Sequence, residues 1–353
     1  MHRSRQFCAG ALLLIAGSFP LNGQGPNELD RLLDSSQFDL SADGREFLSR
    51  QVSRASFLLV GGLHGDNETQ ALFQWMMPSL GEGPTLVVAE MSPWAADRLS
   101  AAIPDSAGVR LRGVDIEASQ LPRLIREIAA ANPESRPLQD MVALVEDGYQ
   151  PALASDLLLL ARRIGDVKDS SPGGVPLAVL LTRTLEVEAD RSRPETADLQ
   201  ASVRRERVMK DFFLTHYRAA AAAGAKPKVA AVFGRNHLHR GIDRRGVSTL
   251  GNFITEFATV EGADTFNVAL FAAGGKVALG GVREFDERSA DPAFGHLASV
   301  ARYSATVFDM KALREPLQKI PAAVRTPVQQ SLLYWANSYD ALVCYREVTP
   351  RKQ

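Results

Sequence analysis

Polar residues stand at or just behind the ends of four short apolar runs in this chain. His64 follows Ser56–Gly62 (SFLLVGG), Glu90 ends Thr85–Glu90 (TLVVAE), Asp115 follows Val109–Val114 (VRLRGV), and Asn236 and His237 follow Lys228–Gly234 (KVAAVFG). Such runs read as buried strands, and in a parallel α/β sheet ligands bind outside the carboxyl ends of the strands. Polar residues ending successive buried strands therefore converge on one crevice, whatever their separation in sequence. The chemistry open to this set is water activation. A histidine titrating near 6.5 takes a proton from water around neutral pH, an effect of about 10²–10⁴-fold. His64, in a glycine-rich loop, is the candidate base. Glu90 is the candidate partner that holds the ring and stabilises the imidazolium, since an unpaired carboxylate ending an apolar strand is costly. His237 is a candidate to stabilise charge developing on an attacked carbonyl oxygen. Asp115 reads as a cap for the helix after it, and His239, on the opposite side from His237, as facing solvent.

Rival chemistries leave weaker traces. No G-x-S-x-G surrounds any serine, which argues against a serine triad. His64, Glu90 and His237, with His239, are also suitable ligand types for zinc or manganese, so a divalent metal is the competing use of the same residues. Against it, no H-E-x-x-H and no clustered Cys/His spacing is present. Cys344, Trp75, Met76 and Trp94 fit packing positions, and His216 and His296 read as surface or core residues.

The elements that must position these residues alternate. Residues 24–55 are polar with periodic apolars and predict a leading helical segment. The runs at 56–62, 85–90 and 109–114 are strands separated by helical patterns to Leu80, over 93–103 and over 121–131. Residues 137–223 are rich in Leu, Ala, Arg and Glu and predict a helical insertion, a lid or subdomain, interrupted at 170–176. Strands resume at 228–234, 267–273, 305–308 and 341–348, with a helix near 247–257. The expected fold is α/β, with a central mostly parallel sheet flanked by helices.

The 353 residues are 45% hydrophobic and 23% charged with formal net charge −1, which excludes a disordered, collagen-like or coiled-coil chain. No basic stripe interleaved with aromatics marks a nucleic-acid surface. His2, Arg3 and Arg5 precede an apolar run, Phe7–Phe19 (FCAGALLLIAGSF), which Pro20, Asn22 and Gly23 break. That layout predicts a signal peptide over 1–23, a single domain over 24–350 and a secreted or periplasmic protein with no membrane anchor after cleavage. The run falls short of the ~20 residues of a spanning helix. Cleavage would remove Cys8 and leave Cys344 without a disulfide partner.

Seven segments in order, Phe57–Glu68 (FLLVGGLHGDNE), Thr85–Glu90, Val114–Asp115, Arg205–Met209 (RERVM), Val229–Leu238 (VAAVFGRNHL), Val307–Leu313 (VFDMKAL) and Tyr339–Pro350 (YDALVCYREVTP), resemble the erythromycin esterase-like family, within the wider group of ChaN-type haem-binding and Tiki/TraB-type proteins. The resemblance spans roughly 55–350. It implies that His64, Glu90 and His237 match the family's histidine, carboxylate and later histidine, and that Arg205 and Glu206 match an Arg-Asp pair on a long helix. It implies a hydrolase of ester, lactone or related acyl bonds acting on a small molecule, with Arg205 joining His237 as electrostatic stabiliser. The family's glutamate just before the first histidine is absent: Gly61, Gly62 and Leu63 stand there, and Glu68 is the nearest replacement. That departure keeps a catalytically degenerate member open, and the wider group keeps open a haem or metal binder using His64 or His237 as ligand.

Overall fold

The computed structural model describes residues 26–102, 108–168, 174–193, 197–224 and 226–351. The expected signal segment with Cys8, and most of the 170–176 interruption, lie outside them.

Among the described residues ten strands form in chain order: β1 (Gln37–Asp39), β2 (Phe57–Gly62), β3 (Thr85–Ala89), β4 (Val109–Gly113), β5 (Lys228–Gly234), β6 (Thr265–Ala272), β7 (Lys276–Ala278), β8 (Val282–Glu284), β9 (Ala305–Asp309) and β10 (Ala341–Tyr345). Eight make one sheet in the order β1-β9-β10-β6-β2-β5-β3-β4, while β7 and β8 form a separate hairpin. Every pair from β10 through β6, β2, β5 and β3 to β4 is parallel. Only β9, antiparallel to both β10 and β1, runs against the rest. The sheet is thus mixed and mostly parallel, with helices on both faces.

Burial on both faces explains the continuous apolar runs. Along β2, Phe57 and Leu59 join one core cluster and Leu58 and Val60 the other. The smaller cluster takes Phe47, Leu48 and Val52 of the helix Asp43–Val52 and Leu72, Phe73 and Met76 of the helix Glu68–Met76. The larger takes the helices of the middle region, among them Leu177–Arg191 and Ala197–Ala222. Between residues 136 and 222 the described residues contain helix and no strand.

The leading segment departs from a purely helical reading. Two helices, Pro26–Ser35 and Asp43–Val52, flank β1, which pairs with β9 from far along the chain. Three residues are too few to show a strand period, so only the long-range pairing creates this strand. The helices Pro292–Val300, Met310–Lys319 and Pro327–Ser338 also fill a stretch whose pattern is ambiguous.

The 26-residue helix Ala197–Ala222 has the largest part in placing polar groups at the strand ends. Tyr217 lies 6.0 Å from Phe57 of β2 and 4.8 Å, edge to face, from Phe257 of the helix Leu250–Val260. Phe213 packs edge to face on Phe257 at 5.8 Å. This aromatic cluster fixes the helix across the sheet, so that Arg205 and Glu206 reach the strand ends.

Candidate active site

The carboxyl ends of four neighbouring strands, β2, β5, β3 and β4, carry His64, His237, Glu90 and Asp115. Glu90 is the hub. Its Oε2 accepts the backbone N–H of Gly234 at 2.5 Å and lies 3.8 Å from His64 Nε2. Its Oε1 accepts from Arg205 Nη2 at 3.1 Å and lies 3.4 Å from His237 Nε2. A Cβ on Gly234 would stand 2.6 Å from His64 Nε2, so any larger residue there would displace the imidazole. The end of β5 thereby lets His64 and Glu90 approach over bare backbone.

His237 sits in the single 3₁₀ turn Arg235–His237 that closes β5, and it is buried. Its Nδ1 pairs with Glu206 at 2.6 Å. The other oxygen of Glu206 accepts from the backbone N–H of Leu250 at 2.6 Å, where a helix begins and favours negative charge. Burial pulls the His237 imidazole down, but the hydrogen bonds and charges of Glu206 and Glu90 outweigh it and push it up to about 9. His237 is therefore cationic at neutral pH. Burial likewise pushes the Glu90 carboxyl up, and the hydrogen bond and charge of His237, with His64 and Gly234, hold it at about 2. Glu90 is ionised across the working range.

Arg205 donates Nε to Asp115 Oδ1 at 2.8 Å and Nη2 to Asp115 Oδ2, a bidentate pair. Burial works against its charge, but Asp115, Glu90 and Glu206 keep it firmly protonated. Asp115 thus departs from the expected helix cap. It is buried against Arg205, and no side chain caps the turn and helix after it. His239 departs as well. It is buried beside the rings of Tyr334, Trp335 and Tyr339, bonds Ser338 Oγ, and burial pushes it down to about 4. Two positions apart on a tight turn, His237 and His239 enter different interiors.

His64 is the contrast, with its side chain 59% exposed. Its loop is tied down through backbone. Gly65, at φ +83°, accepts from Ala278 N of β7 and from Arg351 N, both at 2.8 Å. Asn67 N donates to Thr349 O, and Glu68 accepts from Thr349 N and Oγ1. The Glu68 carboxylate thereby anchors the C-terminal segment, and it is absent from the contacts around Glu90. Nor does the position two before His64 have room for a glutamate, because a Cβ on Gly62 would run into the Thr69 side chain. Thr69 Oγ1 accepts from Leu63 N and donates to Asp66.

Beside this cluster lies a cleft of about 270 Å³ lined by Arg191, Asp198, Ser202, Arg205, Glu206, His237 and Arg245, with Ala201. Sequence reading had no handle on Arg191, Ser202 or Arg245, which stand in polar helical or loop stretches. Of the three only Ser202 carries a spacing signal, falling with Asp198 and Arg205 on one helix face. Glu206 and Asp115 become site residues through the partners that the fold gives them.

The side chains are not arranged for a metal: both ring nitrogens of His237 face carboxylates, and among the described residues no group of three or more His, Cys, Asp or Glu side chains is arranged to hold an ion. Cys344 is buried, and burial pushes its thiol up to about 12, far from a reactive thiolate.

No family model and no curated protein matches this sequence. Solved structures do share its fold. A Bacillus cereus protein superposes with a TM-score of 0.57 at 14% identity, covering 92% of this chain and 98% of that one. A mutant of an erythromycin esterase in its open conformation gives 0.57 at 13% identity, covering 88% and 95%. A succinoglycan biosynthesis protein gives 0.56 at 13% identity, covering 92% and 97%. At these identities the likeness is one of fold, and an esterase is among the proteins that have it.

Proposed function

We propose that this chain is a hydrolase of an ester, lactone or related acyl bond in a small molecule, working by histidine-activated water. The observation that carries this reading is the Glu90 carboxylate, held between an exposed imidazole on one oxygen and two cations on the other, the half-buried Arg205 and the buried His237.

His64, open to water, takes a proton from a water molecule as the water oxygen attacks the carbonyl carbon. Glu90, kept ionised, stabilises the imidazolium that results. Negative charge on the carbonyl oxygen develops near Arg205 and His237, whose fixed positive charges need no reorganisation. Collapse of the tetrahedral species breaks the acyl C–O bond, His64 returns its proton to the departing alkoxide, and an acid and an alcohol leave. His237 serves as a cation throughout, because its two carboxylate partners disfavour the neutral form that a base requires.

The basic and apolar N-terminus supports export, so the setting we propose is secreted or periplasmic. Among the described residues no helix is long and apolar enough to cross a membrane.

An ester and lactone panel tests the reading. The expected result is turnover that a folded His64→Ala variant loses. A wild-type chain that turns over nothing in the panel, or a His64→Ala variant as fast as wild type, overturns it.

A further inference from the structure

The cleft beside Glu90 sorts its charges by depth. Its inner wall is His237 and Arg205, with side chains 11% and 23% exposed. Its outer wall carries Arg191 and Arg245, at 44% and 50%. The inner cations have multiple carboxylate contacts, with Glu90 shared between them. Among the described residues, the outer two are held by one carboxylate each and from one side. Arg191 uses Nη1 toward Glu188, and Arg245 uses Nε and Nη2 toward Asp243. A guanidinium has five N–H donors in a planar fork, so both outer arginines retain donors beyond these contacts. Two carboxylates line the cleft, Asp198 and Glu206, and Glu206 is engaged by His237 and Leu250. An acyl group that only needed its carbonyl polarised would have no use for the outer pair.

We propose that the substrate carries an anionic group, a carboxylate or phosphate, seated between Arg191 and Arg245 at the mouth of the cleft, with its scissile carbonyl lying toward Arg205 and His237. This rests on the hydrolytic reading and names its substrate class: a small acidic ester. The size agrees, because about 270 Å³ lies just under the usual range of ligand pockets, roughly 300–1,000 Å³. Ser202, on the helix face between Asp198 and Arg205, adds a hydroxyl donor to the same wall.

The test compares p-nitrophenyl hemisuccinate with p-nitrophenyl butyrate, two acyl chains of equal length that differ in a terminal carboxylate. The expected result is a kcat/KM at least about tenfold higher for the hemisuccinate, carried by KM. Arg245→Gln should bring the ratio of the two toward one, and Arg245→Glu should invert it. Arg191→Gln strips buried Glu188 of its ion partner, so Arg245 carries the test, its partner Asp243 remaining capped by the N–H groups of residues 245 and 247. Equal kcat/KM for both esters in the wild type overturns the anion site and leaves the hydrolase standing. If neither ester is turned over, thermal shift with succinate and with inorganic phosphate decides the anion site separately. A stabilisation by either anion that Arg245→Glu abolishes supports the site, and no stabilisation by either overturns it.

Discussion

Two halves of the candidate site are built in opposite ways. Around Glu90, every polar group has a fixed partner: Gly234 N–H, Arg205 and His237 on the carboxylate, then Asp115 behind Arg205 and Glu206 behind His237. His64, one loop away, shows an exposed imidazole whose nearest charged neighbour is 3.8 Å off. Its position comes from backbone bonds of its loop to β7 and to the C-terminal segment. Under the proposed hydrolysis the difference would match two tasks. Charges that must face a developing oxyanion work best preorganised and shielded from water, whereas a base that activates water must meet it.

The comparison breaks first at His64. His64→Ala should lower kcat on any ester turned over by about 10²–10⁴-fold. Its unfolding midpoint in denaturant should stay near wild type, because an exposed imidazole contributes little to stability. Glu90→Ala should do the reverse in kind: it leaves Arg205 and His237 facing each other without their shared anion. A loss of about 3–5 kcal/mol in unfolding free energy is expected, read by denaturant titration.

Titration sharpens the contrast. The folded-state value of His237 lies above its unfolded one, so its stabilisation is complete below about 6.5 and fades as pH rises through about 9. Glu90 lies below its unfolded value, so its contribution is present above about 4.5 and fades as pH falls toward 2. Stability should therefore be flat between those limits and decline on both sides. The alkaline decline should be on the order of 3 kcal/mol at most, and His237→Gln should abolish that decline in thermal scans at stepped pH.

Smaller effects separate the halves at their contact. Gly234→Ala pushes a methyl group toward His64 Nε2, and roughly a tenfold loss of kcat/KM is expected, about 1.4 kcal/mol of barrier. Glu68→Gln should cost about 0.5–1.5 kcal/mol of stability through its Thr349 bonds and change kcat by less than about twofold.

Much of the framework was legible along the chain. The strand over 228–234 forms at those residues, and the alternation of apolar runs with helical patterns was enough for a mostly parallel sheet. The same logic brings the ends of β2, β3, β4 and β5 to one edge, because parallel strands joined by crossovers end on the same side. Glu68 shows where proximity in sequence misleads. Four residues past His64, it turns to Thr349, which is 281 positions away.

What the sequence determined by itself is which residues end buried strands, since burial on both faces writes an apolar run and its polar stop into the local pattern. Tertiary structure alone decided their partners. Asp115 holds Arg205 and Glu206 holds His237 because an aromatic cluster lays a 26-residue helix across the strand ends, and Arg191 and Arg245 reach the same cleft from the end of another helix and from a turn. Side-chain packing between distant segments fixes that crossing, and no local periodicity encodes it.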